Sequence, residues 1–143
     1  MAREVGNLRQ GEAIELEIPS APEYVAIVRQ AVEGIARRMN FDATQIEELK
    51  LAVGEACTNA VKYGCKRKGD GNVVVRCVVC ADGLLVVIRN PVAECESPQV
   101  PDKPDPTTEG GLGLYLIQHL VDEVNLSWES ETATVTLLKR LAT

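Results

Sequence analysis

A glutamate and an asparagine stand four residues apart, Glu55 and Asn59, in the stretch IEELKLAVGEACTNAVKYG, residues 46–64. On a helix, that spacing stacks the two side chains one turn apart on a single face. An amide oxygen placed there can hold a metal ion, and a carboxylate can orient or deprotonate a nucleophile. A plain solvated helix face is the other use of such a pair. A second candidate lies further along the chain. Gly110-Gly111-Leu112-Gly113 falls between a proline-rich segment and an apolar run. Glycines there allow tight turns and close backbone approach. A helix starting at that point adds free N–H groups and the positive end of its dipole, a combination that favours a bound phosphate. A bare helix-entry turn is the alternative.

The elements that must hold these groups are legible from periodicity. Ile46, Leu49, Val53, Ala56, Cys57, Ala60 and Tyr63 form one apolar stripe at helical spacing. Asp42 and Gln45 make a capping-box-like start, and Gly64 marks the stop. Glu55 and Asn59 point away from this stripe, with Leu51 and Ala52 close to their side. Upstream, EAIELEI (12–18) alternates as a half-buried strand ended by Pro19. Ser20 and Glu23 read as a capping box for a helix over 22–40, with Tyr24, Ile27, Val28, Ala31, Ile35 and Met39 as its apolar side.

Downstream, NVVVRCVVC and LLVVIRN are two strands joined at Asp82-Gly83, a hairpin signal. The second is apolar almost throughout, which predicts a central strand covered on both faces. Residues 91–108 hold five of the seven prolines and read as a long irregular loop. EGGLGLYLIQHLVDEV (109–124) is a glycine-rich turn running into a helix, and two strands near NLSWE and ATVTLLKR close the chain, with Trp128 at the sheet edge. Hairpins and helices in this uneven order predict an α+β fold, one mixed sheet with its helices packed on one face.

Composition narrows the class. The length of 143 residues suits one domain. A net charge of −6 with no basic stripe argues against a nucleic-acid partner. No apolar run reaches membrane-spanning length and the N-terminus is no signal peptide, so a cytoplasmic protein is expected. The five cysteines then read as free thiols. Cys77 and Cys80 lie three apart on a strand, which sends them to opposite faces and unfits them for a shared zinc ion.

EACTNAVKYG (55–64), then a hairpin, a variable loop and EGGLGLYLIQHLVDEV (109–124), resembles the anti-sigma factor serine kinases of the RsbW type, members of the GHKL ATPase superfamily. PEYVAIVRQAVEGIARRM (22–39) resembles the same family, so the likeness runs from about Pro22 to Leu141. It implies a GHKL (Bergerat-type) ATP-binding sandwich. It also implies ATP as phosphoryl donor, Mg²⁺ on Asn59, and Glu55 as general base or as the group that orients the acceptor hydroxyl. Backbone N–H groups of the Gly110–Gly113 box and Leu114 would meet the phosphates, with Gly111, Leu112, Gly113 and Leu114 as donors. Residues 91–109 would form a lid. The implied partners are a sigma factor and a small antagonist protein, met through the first helix, where Arg29 and Glu33 are candidates, and the neighbourhood of the ATP site, and a second copy in a homodimer.

One stretch departs from that family. Its members carry a D-x-G box after the strand that here reads LLVVIRN, the Asp accepting from the adenine amino group. Here Asn90 stands for the Asp and Val92 for the Gly. A neutral acceptor makes a weaker hydrogen bond than a charged one. The departure keeps two readings open: an ATP-dependent serine kinase that phosphorylates the antagonist, and a non-catalytic partner-binding module of the same fold.

Overall fold

The computed structural model describes residues 4–63, 72–91, 111–129 and 132–142. Within them lie β1 (Glu4–Val5), β2 (Leu8–Arg9), β3 (Ala13–Pro19), α1 (Val25–Arg38), α2 (Ala43–Tyr63), β4 (Asn72–Cys80), β5 (Gly83–Pro91), α3 (Gly111–Leu120), β6 (Glu123–Glu129) and β7 (Thr132–Arg140). Among the described residues, β3 to β7 form one five-stranded sheet in the order β3-β4-β5-β7-β6. Every pairing in it is antiparallel. The sheet is therefore not mixed in the hydrogen-bonded sense expected. After α3 the chain lands on the outermost strand, β6, and turns back to insert β7 beside β5, so strands of like direction never become neighbours.

Alternation decides which face is covered. Val73, Val75, Cys77 and Val79 on β4, Leu84, Val86 and Ile88 on β5, and Leu137 on β7 are at most 1% exposed. Burying each such aliphatic side chain contributes about 1.5–3 kcal/mol. The expectation for β5 holds only in part. The strand is central, but Leu85 and Val87 on its other face are only half-buried. On edge strand β3, Ile18 is buried while Ile14 is 38% exposed.

The long helix forms as its sequence dictates. Asp42 Oδ1 accepts from Gln45 N at 2.7 Å, and Gln45 Oε1 accepts from Asp42 N at 3.3 Å, a closed capping box. Ile46, Leu49, Val53, Ala56, Cys57 and Ala60 are buried as the stripe predicts. The box expected at Ser20 and Glu23 does not form. Pro22 starts a short 3-10 turn to Tyr24, no side chain caps α1, and Ser20 Oγ is buried without a partner. A proline pre-sets the first turn, so the hydroxyl is not needed to start it.

Helix α1 leans on α2 through charge and contact. Lys50 Nζ lies 2.6 Å from Glu33 Oε1, and Glu33 also pairs with Arg37 at 3.1 Å. The hydrogen bond from Lys50 holds the Glu33 carboxyl below the usual carboxylate range. Arg29 lies across Gly54, where an added Cβ would be 2.9 Å from Nε. The β1–β2 hairpin, which sequence periodicity did not reveal, caps the end of α1. Asn7 N donates to Arg38 O at 2.7 Å, and Gly6, at φ 61°, leaves no room for a side chain against that carbonyl.

Candidate active site

Helices α2 and α3 pack in opposite directions. The start of α3 meets the C-terminal half of α2, where Glu55 and Asn59 stand half-buried. A Cβ added to Gly113 would lie 3.0 Å from Glu55 Oε2 and 3.2 Å from Asn59 Nδ2. Those separations are tighter than ordinary van der Waals contact, so any side chain at this position would make Glu55 and Asn59 give way. The sequence pair and the glycine box, distant along the chain, meet at one junction. Glu55 and Asn59 are thus not a solvated face.

Gly111, Leu112, Gly113 and Leu114 are the first four residues of α3. The backbone N–H groups of a helix's first four residues have no acceptor within the helix. They carry the positive end of its dipole, beside which the Glu55 carboxylate sits favourably when no other anion is there. Gly110, Val92 and residues 92–109 of the expected lid lie outside the described residues, as does the side chain of Trp128.

Asn90 is 6% exposed on β5, and its Nδ2 donates to Ala60 O at 3.0 Å. A carbonyl can only accept, so this bond fixes the amide's orientation and leaves Oδ1 as the end turned away from α2. Sequence inspection did not anticipate this contact, because it depends on how closely β5 passes the last turns of α2. It gives the departure from D-x-G a physical sense: an aspartate has no hydrogen to give Ala60. Asn90→Asp is therefore expected to destabilise the fold by about 1–3 kcal/mol, leaving two acceptors opposed in a buried place. A thermal melt should show its midpoint lowered by roughly 3–10 °C.

Neighbouring groups take other parts. Cys57 lies between Glu55 and Asn59 in sequence but points into the core, where burial pushes its thiol up to about 12. Burial likewise pushes Cys77 up to about 11. Neither is a nucleophile at neutral pH. Cys77 is buried on the covered face while Cys80 is half-buried on the other, as the strand offset predicts. His119 is exposed and stacks edge-on against Tyr115, ring centroids 4.3 Å apart.

The donor set suits a phosphate and a hard cation. An asparagine oxygen and a carboxylate are oxygen ligands of the kind Mg²⁺ takes, usually one or two protein groups with substrate phosphates and water completing the shell. The glycine junction provides backbone amides at the same place.

Residues 18–139 match the family model for the histidine kinase-like ATPase domain. The serine-protein kinase RsbW of Bacillus pumilus is 41% identical over 141 residues, covering 91% of this chain and 86% of its own. That of Bacillus subtilis is 39% identical over 137 residues, covering 90% and 85%. The chain belongs to the RsbW-type serine-protein kinases of the histidine kinase-like ATPase family. More distant RsbW proteins fit too: that of Listeria monocytogenes serotype 4a is 35% identical and covers 87% of this chain. The fold likeness extends to solved structures. A crystal structure of the RsbU and RsbW domains of a Mycobacterium tuberculosis protein superposes with a TM-score of 0.70 at 18% identity, covering 94% of this chain and 34% of that one. The histidine kinase domain of a blue-light activated kinase from Erythrobacter litoralis gives 0.58 at 20% identity, covering 87% and 62%. The sandwich expected of an RsbW-type kinase is thus the observed fold.

The residues that sequence reasoning missed here are Lys139 and Glu48. Lys139 is 8% exposed, with its Nζ 2.6 Å from Leu120 O and 3.3 Å from Glu48 Oε1. The available signal was parity: two residues after buried Leu137, Lys139 must face the same side.

Proposed function

We propose that this RsbW-type kinase transfers the γ-phosphoryl group of ATP to a serine on a small antagonist protein, and in alternation binds and silences a sigma factor. The observation that carries the reading is the junction at Gly113, where the glutamate, the asparagine and the N-terminus of α3 converge. Phosphoryl transfer asks chiefly for positioning and neutralised charge. Asn59 would hold Mg²⁺, which when bound neutralises the phosphate oxygens. The N–H groups of Gly111 to Leu114, with Gly110 before them, would hold the phosphates from the other side. Glu55 would accept the proton of the serine hydroxyl as its oxygen bonds to phosphorus and the bond to ADP breaks. Asn90, its amide oriented by Ala60, would offer Oδ1 to the adenine amino group. Residues 91–109 would close over the nucleotide.

The chain would work as one domain over residues 1–143, in the cytoplasm and with no nucleic-acid contact. No helix among the described residues is long and apolar enough to cross a membrane. A homodimer would form through the open face of the sheet. Val74, Val78, Leu85, Val87 and Leu138 stand half-buried there, and Glu15 and Arg76, 3.8 Å apart, lie on the same face. Apolar surface of this kind, edged by charge, favours a partner sheet. Arg29 and Glu33 on α1 remain the candidates for touching the sigma factor or antagonist.

The test uses the purified protein, Mg²⁺, ATP and a serine-bearing antagonist. Transfer to the antagonist is expected in the wild type. Asn59→Ala should lose Mg²⁺-dependent ATP binding by about tenfold to a hundredfold, the value of one or two good polar contacts. No saturable binding by the wild type at millimolar ATP would leave the protein a partner-binding module.

A further inference from the structure

The helix that carries the glycines is held at its other end. Lys139 lies on the covered side of the sheet at 8% exposure, unusual for a lysine. Its Nζ donates to the carbonyl of Leu120, the last residue of α3, at 2.6 Å, and stands 3.3 Å from Glu48 Oε1 on α2. Two further bonds fix the same corner. Asp122 N donates to Leu138 O at 2.9 Å, and Asp122 Oδ2 accepts from Arg140 N at 2.7 Å.

Glu48, Ala52, Glu55 and Asn59 recur at helical spacing and make one stripe along α2. Glu48 sits where α3 ends; Glu55 and Asn59 sit where it begins. The rise from Gly113 to Leu120 is about 10 Å at 1.5 Å per residue. A helix this short is stiff along its axis. Fixing its C-terminus therefore sets how far its N-terminus reaches along α2.

We propose that Lys139 is a positioning residue for the site. By capping the C-terminus of α3 and pairing with Glu48, it sets where Gly113 lies against Glu55 and Asn59. The cation also matches the negative end of the helix dipole. The kinetic half of the proposal rests on the kinase reading above; the structural half does not. Methionine would fill much the same space, yet leave the Leu120 carbonyl without a donor and Glu48 without its partner. Glu48 keeps 36% of its side chain exposed and can be rehydrated, but the Leu120 carbonyl loses its donor, so Lys139→Met should cost some stability as well as shift the helix.

The experiment compares wild type, Lys139→Met and Lys139→Arg in two ways. First, without nucleotide, the amide resonance of Gly113 and the side-chain amide of Asn59 are followed by NMR. Both should move in Lys139→Met, while Val75 in the sheet stays in place, and Lys139→Arg should return them towards their wild-type positions. Second, the KM for ATP should rise about tenfold in Lys139→Met, with kcat changed less, as a displaced binding group predicts. A protein that was merely less stable would lose active fraction, so kcat would fall with KM unchanged. That result, or unmoved Gly113 and Asn59 signals, overturns the proposal. A wild type without ATP turnover would defeat the kinase reading, and the NMR comparison would still decide the role of Lys139. If Lys139→Met does not fold, Glu48→Gln takes its place, since it keeps the bond to Leu120 and removes only the charge on α2. A smaller movement at Gly113 is then expected, and none would overturn the proposal.

Discussion

Glu55→Gln is expected to reduce serine phosphorylation by about 10²–10⁴-fold, the usual contribution of a positioned general base. Glutamine has nearly the same shape, so the approach of Gly113 to this side chain should survive the change. It cannot take the serine proton. Affinity for ATP should stay close to that of the wild type, because on the proposed reading Mg²⁺ on Asn59 and the α3 amides would hold the phosphates. The check is phosphate transfer to the antagonist under saturating ATP, with a separate ATP titration. A variant that binds ATP and still phosphorylates at the wild-type rate would remove Glu55 from the chemistry. A variant that loses binding and turnover together would make Glu55 a structural support of the junction.

Gly113→Val should weaken ATP binding by about a hundredfold or more, with a melting midpoint lowered only modestly. The first added carbon already meets Glu55 Oε2 at 3.0 Å and Asn59 Nδ2 at 3.2 Å. Valine's two further methyl groups add bulk beside the same two side chains. Either α3 withdraws from α2 or the two polar side chains turn away, and each outcome would separate Asn59 from the α3 amides proposed to hold the phosphates. Misplacement of about 1 Å at a reacting centre costs about a hundredfold. Gly113→Ala should fall between wild type and valine, because its neighbours need give way by only a few tenths of an ångström. ATP titrations with matched melts on the three proteins supply the test. Equal affinity in all three would mean that the close approach at Gly113 has no part in binding.

How far the sequence led depends on whether a feature is local. The α2 helix was legible from its start through Ala60, since its apolar stripe, capping box and propensity are all written in consecutive residues; the side chain of Tyr63 and the stop expected at Gly64 lie outside the described residues. The pairing of Glu55 with Asn59 followed from helix geometry alone. That Gly113 should lie against them was implied only by the resemblance to GHKL ATPases, since no local rule joins two helices so far apart along the chain. Features set by register were harder. Lys139 reads as an ordinary surface lysine until its parity with Leu137 turns it inward. Leu85 and Val87 read as core, because an apolar run does not reveal which face the helices leave open. The β1–β2 hairpin is too short to have a period, and its evidence lies in Gly6 fitting against the end of α1. Ser20 shows the opposite error: a local signal was present, and Pro22 made it unnecessary. Asn90 belongs to both groups. The family resemblance implied that it stands in place of an acid, while its bond to Ala60 needed the packed fold.

The most direct measurement labels the wild-type protein with ¹⁵N and adds Mg²⁺-ATP while following the backbone amide of Gly113 and the side-chain amide of Asn59. If one triphosphate and its metal lie between these two helices, both resonances will shift along a single saturable curve with a common midpoint. If either stays fixed through millimolar ATP, or the two saturate at different concentrations, the junction of α2 and α3 is not the nucleotide site.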